Sequence, residues 1–302
     1  MAQKKSTLWL WIVVGGGSFI FFVLCLTALA VMFTNGGSSN ASPRSSNMVA
    51  FLELRGAISD SKRFIDDLSE YGNRANVRSV IIRIDSPGGG VAASQEIFDA
   101  IKKFRADTKK IVVVSMASTA ASGGYYVACA ADKIFANPGT ITGGIGVIAQ
   151  WYDYSDLLSW ARMHSVVIKS GELKDSGSGF RPMTDNEKVY FQSLIDDMHS
   201  QFVSAISESR NIPEETVREL ADGRAFTGRE AKEKGLVDEI GTFQNAIAEA
   251  ARMGGITGEP RLLTPARRRF SAFDIFLGNA ESVFPLSLGG SESHIRFEYL
   301  WR

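Results

Sequence analysis

The sequence predicts an α/β fold, and three observations carry that prediction. Apolar runs of strand length recur between residues 48 and 137: "MVAFLELRG", "VRSVIIRIDSP", "KIVVVSMAS" and "DKIFANP". Between the second and third lies "AASQEIFDAIKKF", which has the spacing of an amphipathic helix. The second run is apolar at consecutive positions, as suits a strand covered on both faces. Such alternation argues for successive β-β-α or βαβ units layered around a sheet.

Each element has its own warrant. "PGGGV" ends the second strand and leads into the amphipathic helix, and another helix starts near Ser122. Farther on, Thr184 and Glu187 have capping-box spacing ahead of a stripe formed by Phe191, Leu194, Ile195, Met198, Phe202 and Ile206. That stripe reads as core packing. Thr227 and Glu230 repeat the capping logic, with Gly235 placed to end the short helix. From about Glu259 the pattern weakens into "ARRRFSAFDIFLG" and a final "RFEYLWR".

Lysine plus arginine equals aspartate plus glutamate at 33 each. A formal net charge of zero gives no reason to expect nucleic acid as a partner. The two cysteines, Cys25 and Cys129, lie in different segments and imply no disulfide framework. Without a CxxC or His/Cys cluster, neither a metal nor a cofactor is expected.

The N-terminal segment stands apart. Residues 8–33 form an apolar run, and no charge occurs between Lys5 and Arg44. As a helix it would reach ~39 Å, longer than the ~30 Å hydrocarbon core, so a tilted span is expected. Lys4 and Lys5 precede it and polar residues follow. The positive-inside rule then puts residues 1–7 in the cytoplasm and the rest of the chain outside. "ALA" at 28–30 has the form of a signal-peptidase site, but the run exceeds a signal h-region of about 7–15 residues, which favours an uncleaved anchor. Residues 34–47, rich in Gly, Ser and Asn, read as a flexible tether with a span of ~20 Å. A folded domain over 48–258 and a tail over 259–302 complete the organisation. For the tail, three readings stand side by side: a membrane contact, a return to the active site, or a loosely ordered end.

Two stretches carry candidate chemistry. "DSPGGG", Asp85–Gly90, follows a strong strand, where glycine lets backbone amides approach a ligand closely. Paired amides of this kind stabilise an oxyanion, but a tight strand-to-helix turn needs the same glycines. Ser122, in "STAASGGYYVACAADKIFANPGTITGGIGVI", sits at a helix N-terminus, where developing negative charge is favoured. By itself it reads as an N-cap. A serine nucleophile needs a base. His164, His199 and His294 have no recognisable triad context. Lysine serves only when neutral, a state that burial promotes. Lys169 and Lys174 in "VVIKSGELKD" both qualify by position, and spacing does not choose between them.

Four blocks in order, "IDSPGGGV", the Ser122 stretch, "IKSGELKD" and "ADGRAFTGREAKEKGLVDEIG", resemble the short form of the bacterial signal peptide peptidases, serine peptidase family S49. The resemblance covers about residues 48–250. It implies a Clp-protease/crotonase-like fold and a serine endopeptidase with a Ser/Lys dyad. It implies Ser122 as nucleophile, Lys174 rather than Lys169 as general base, and Gly89 and Gly123 as oxyanion donors. The expected substrates are signal peptides and other peptides retained in the membrane. The expected setting is the bacterial cytoplasmic membrane, with the catalytic domain extracytoplasmic. Short-form relatives assemble into homo-oligomers, commonly octamers, in which the lysine reaches a neighbour's serine. One departure stands out: the family's "TGSIG" is "TGGIG" here, with Gly144 in place of a serine that holds the lysine. Either Thr140, Thr142 or Ser170 then supports the lysine, or the dyad is less well ordered. Competing readings are a non-catalytic membrane scaffold on this fold and a crotonase-type acyl-CoA enzyme.

Overall fold

A computed structural model describes residues 47–265 and 297–301. The expected N-terminus, membrane segment and nearly all of the tether lie outside the described residues, as do most of the tail and His294. Among the described residues no helix is long and apolar enough to cross a membrane.

The predicted α/β architecture is present. Strands β1 (Met48–Arg55), β2 (Val77–Ser86), β4 (Ile111–Ala121) and β5 (Lys133–Ala136) pair in parallel, β1 with β2, β2 with β4, and β4 with β5. Helices α1 (Lys62–Gly72) and α2 (Val91–Thr108) make the crossovers between β1 and β2 and between β2 and β4. Strand β4 is long enough to serve two neighbours. Its first half pairs with β5, and its end, Thr119–Ala121, pairs with β6 (Ile141–Gly143). β7 (Ala225–Thr227) adds to β6 antiparallel, β8 (Glu239–Ile240) to β5, and β9 (Arg261–Leu263) to β1.

β2 shows why consecutive apolar residues were needed. Val80, Ile82 and Ile84 enter the larger core, together with Leu52 of β1, Met116 of β4 and Ile97 of α2. Ile81 enters a second core on the other face, with Val49, Val113 and the alanines of α8 (Phe243–Met253). Both faces are therefore dry, as a sheet covered on each side requires.

Both predicted capping boxes are formed. Thr184 caps α5 (Asp185–Arg210), with Glu187 reaching back, and Thr227 caps α7 (Gly228–Glu233), with Glu230 in the same role. Gly235, at φ 77°, lies just past the end of α7. α6 (Glu214–Leu220) lies between them. Of the stripe on α5, Phe191, Phe202 and Ile206 are buried, whereas Leu194, Ile195 and Met198 are only partly covered.

Two features were not foreseen. The glycines of "SPGGG" do more than end β2: Gly88–Gly90 form a strand of their own, β3. It pairs antiparallel with β10 (Glu298–Leu300), from the last residues of the chain.

Candidate active site

Ser122 lies between the end of β4 and helix α3 (Gly123–Ala128). Its backbone is at φ 52°, ψ −117°, a conformation costly for a residue with a Cβ. The turn is held by its N–H, which donates to the Gly143 carbonyl at 2.7 Å, and by its carbonyl, which accepts from Tyr126 N–H at 2.8 Å. The side chain makes no cap hydrogen bond, so the N-cap explanation of this serine fails. Its Oγ is buried with no hydrogen-bond partner among the described residues, and the residue is 1 % exposed. A buried hydroxyl left unpaired is destabilising. Strain and an orphaned hydroxyl on one residue are what a site preserves for chemistry rather than for stability.

The glycine strand lies beside it. Ser86 Oγ accepts from Gly88 N–H at 3.1 Å and folds the turn back on itself. A Cβ on Gly89 would lie 2.2 Å from the Ile58 carbonyl oxygen, so only glycine fits. A Cβ on Gly123 would lie 3.2 Å from Gly89 N. Gly89 and Gly123 therefore lie close together, Gly123 directly after Ser122. The β10 backbone is there too: the same Gly123 position is 3.2 Å from the Tyr299 carbonyl oxygen.

The lysines separate clearly. Lys169 Nζ is engaged by the Glu172 carbonyl at 2.7 Å and by the Asp175 carboxylate. Asp175 also receives Arg181 through Nη2 at 2.9 Å and Nε at 3.0 Å. Arg181 then forks onto Glu187, 2.9 Å from Nη1 to Oε2. Lys174 is in a 3₁₀ turn, Glu172–Asp175, and is exposed. Asp175 therefore ties down the strap of residues 169–187 while its neighbour Lys174 is exposed. Within the single chain, Ser122 and Lys174 are not brought together by a hydrogen bond, since Ser122 Oγ has no partner.

Thr140 and Thr142 are both buried, and their hydroxyls donate to the Ala117 and Ala120 carbonyls, each at 2.7 Å. Each keeps acceptor capacity, which a lysine needs. Ser170 is exposed. Among the described residues no cluster of His, Cys, Asp or Glu is arranged to hold a metal. Cys129 is buried, and desolvation pushes its thiol up to about 12, so it is an inert core residue.

The Arg181 clamp and β10 were both missed in the sequence. Arg181 sits six residues from each acidic partner, a spacing no helix or strand template scores. β10 had a usable signal, because Phe297, Tyr299 and Trp301 alternate with polar or aliphatic residues at strand period. The clamp has a pH consequence. Its hydrogen bond to Arg181 lowers the Glu187 carboxyl to about 2, and the Arg181 and Lys169 cations hold Asp175 below its usual range. For depressed carboxyls, the stabilising contribution is full above the unfolded values near 4 and disappears as pH falls through the folded ones. Between pH 5 and 8 the strap is expected to resist amide exchange. Below about pH 3, or in Arg181→Ala at any pH, exchange over residues 169–187 is expected to rise, as hydrogen–deuterium exchange would show.

A strained, buried serine beside closely packed glycines on a parallel α/β framework fits a serine hydrolase of the type that attacks acyl groups. Comparison with known proteins places it within that class. Residues 104–257 match the model for Peptidase family S49, and residues 52–140 match that for Clp protease. The chain is 41% identical over 209 residues to a Synechocystis protein provisionally named a protease, covering 69% of this chain and 75% of that one. It is 36% identical over 189 residues to a provisionally named signal peptide peptidase SppA of Enterococcus faecium, covering 62% of this chain and 54% of that one. Protease 4 of Haemophilus influenzae is 30% identical over 216 residues, or 68% of this chain and 35% of its own length. This chain belongs to peptidase family S49 and is a serine peptidase.

Proposed function

We propose that the protein is a membrane-anchored endopeptidase in which Ser122 is the nucleophile and Lys174 of a neighbouring copy is the general base. The observation that carries this reading is the state of Ser122: strained, buried and without a partner among the described residues. A nucleophile in that state needs a base from elsewhere. Lys169 is committed to Asp175, so Lys174 is the free amine on the strap. The strap and the segment before it also expose apolar side chains: Trp160 at 83 %, Val166 at 85 % and Ile168 at 98 %. An apolar surface of this kind is normally covered by a partner. Docked against a second copy, it would carry Lys174 into the dry pocket, where loss of water favours the neutral amine.

In the reaction, neutral Lys174 takes the Ser122 proton and the serine oxygen attacks the peptide carbonyl. The Gly89 and Gly123 amides hold the oxyanion, each contributing about 3–4 kcal/mol. The lysine ammonium protonates the departing amine, and water then releases the acyl group with the lysine again as base. Thr142 is the best placed of the lysine supports, because it lies on β6 beside the Ser122 turn. The substrates are membrane-retained signal peptides. This rests on the name of the Enterococcus relative and on the apolar run 8–33, which would hold the domain at the outer bilayer face.

Labelling with a serine-directed fluorophosphonate tests the nucleophile. Mass spectrometry is expected to find the adduct on Ser122 in the assembled protein, and none in Lys174→Ala. Labelling elsewhere, or none in the assembled wild type, would overturn the assignment.

A further inference from the structure

We propose that Arg181 is a positioning residue for the reaction. By forking between Asp175 and Glu187 it fixes the turn that presents Lys174, and it keeps the Asp175 carboxylate from pairing with that lysine. This rests on Lys174 as the general base proposed above.

The turn has little else to place it. Residues 161–174 are all exposed in the single chain, and residues 163–169 form neither helix nor strand. The backbone bonds of the turn are local. Lys174 N–H donates to the Gly171 carbonyl at 3.2 Å, Ser176 N–H to that of Leu173 at 3.2 Å, and Ser178 N–H to that of Asp175 at 3.1 Å. A 3₁₀ turn closed on itself sets its own shape but not its position on the protein. Side chains set the position. Arg181 Nη2 donates to Asp175 Oδ1 at 2.9 Å and to Glu187 Oε1 at 2.6 Å. The Asp175 and Glu187 side chains are 13 % and 2 % exposed. A longer contact, 3.5 Å from Asn186 Nδ2 to Glu172 Oε1, runs beside it.

Glu187 does more than cap its helix. Thr227 with Glu230 and Thr242 with Asn245 form the same capping box as Thr184 with Glu187. Glu230 and Asn245 are exposed, whereas Glu187 is buried and takes both arms of a guanidinium. Capping alone does not need that burial. A planar guanidinium holds two carboxylates in fixed directions. The clamp therefore carries the geometry of the first turn of α5 out to the residue beside Lys174.

The same contacts decide where the Asp175 charge goes. A carboxylate one residue from an amine is a ready ion-pair partner, and such a partner favours the ammonium, which accepts no proton. Arg181 and Lys169 engage the Asp175 carboxylate and hold it below its usual range. Of the other acidic groups at this turn, Glu172 meets Asn186 and Asp185 pairs with Lys188. Release of Asp175, the immediate neighbour, would hold Lys174 in its charged form.

The test uses the full chain. Arg181→Ala is expected to lower kcat for a peptide substrate roughly tenfold to hundredfold with KM changed less than about twofold, because the base is displaced while the substrate contacts remain. The acid limb of its kcat–pH profile is expected to move to higher pH. Arg181→Lys is expected to recover only part of kcat, since an ammonium does not fork between two carboxylates. Two mixtures separate positioning from folding, with Ser122→Ala plus Lys174→Ala as the reference. Adding Arg181→Ala to the Ser122→Ala chain leaves the working lysine on an unclamped strap, and hydrolysis is expected to fall roughly tenfold or more below the reference. Adding it instead to the Lys174→Ala chain leaves the working lysine clamped, and hydrolysis is expected to match the reference. An unmoved acid limb, or equal hydrolysis in the two mixtures, would overturn the inference, because a merely structural arginine gives both. A reference mixture that stays inactive would sink the neighbour-supplied base alone. The role of Arg181 would then stand or fall on the acid limb of the single variant.

Discussion

Replacing Ser122 by alanine is expected to abolish peptide hydrolysis and to stabilise the protein. The first half follows from the role proposed for the hydroxyl: removing the nucleophile of a serine peptidase costs on the order of 10⁶ in kcat. The second half follows from its surroundings. The Ser122 Oγ is buried with no partner, and such a group costs about 1–3 kcal/mol. Alanine keeps the backbone and deletes the orphan, so a gain of about 1 kcal/mol, or about 2–4 °C in Tm, is expected. Glycine at this position should gain more, because it also accepts φ 52° without a Cβ penalty. Calorimetry on the inactive variants measures both effects. A structural serine would show the reverse order, with Ser122→Ala less stable than wild type.

Lys174→Ala is expected to be equally inactive, and the two inactive variants are expected to rescue each other. The reason is geometric. In one chain the lysine is exposed on its strap and the serine is sealed in the core, with no hydrogen bond between them. If the base comes from the next copy, a Ser122→Ala subunit still donates Lys174 to a neighbour that has Ser122. Co-assembling equal amounts should restore roughly one site in four by random assortment around a closed ring. Hydrolysis that stays at zero after verified co-assembly would mean that each subunit supplies its own base. Lys169→Ala should behave differently. It removes one cation from Asp175 but leaves the Arg181 contacts, so activity should fall modestly rather than vanish.

The sequence already carried much of this. β2 was legible because its unbroken apolar run has no explanation except burial on both faces, and Ile81 and Ile82 do point into opposite cores. Both capping boxes were legible because a cap is a local hydrogen-bond exchange over four residues. The candidate site was legible as blocks, since a serine before two glycines and a glycine turn after a strand are local signatures. What stayed hidden was non-local or weakly periodic. The alternatives for Ser122, cap or nucleophile, turned on whether Oγ found a backbone partner. The alternatives for the base turned on which lysine was already engaged. Neither question has an answer in spacing, because both depend on atoms brought together from distant parts of the chain.

The tail shows the same limit most sharply. "RFEYLWR" alternates at strand period, which is enough to suggest a strand but not to say where it pairs. Its partner, the Gly88–Gly90 strand, lies about two hundred residues earlier, and only three-dimensional closure places Tyr299 against Gly89. By itself, the sequence determined the α/β class, the helix caps, the family and the short list of reactive residues, because these are set by local pattern and side-chain chemistry. The tertiary structure alone decided that Ser122 is buried and unpaired among the described residues, that Lys169 is tied down while Lys174 is exposed, and that residues 298–300 pair with the Gly88–Gly90 strand. Those outcomes follow from burial and from competition among distant hydrogen-bonding groups, which no linear spacing encodes.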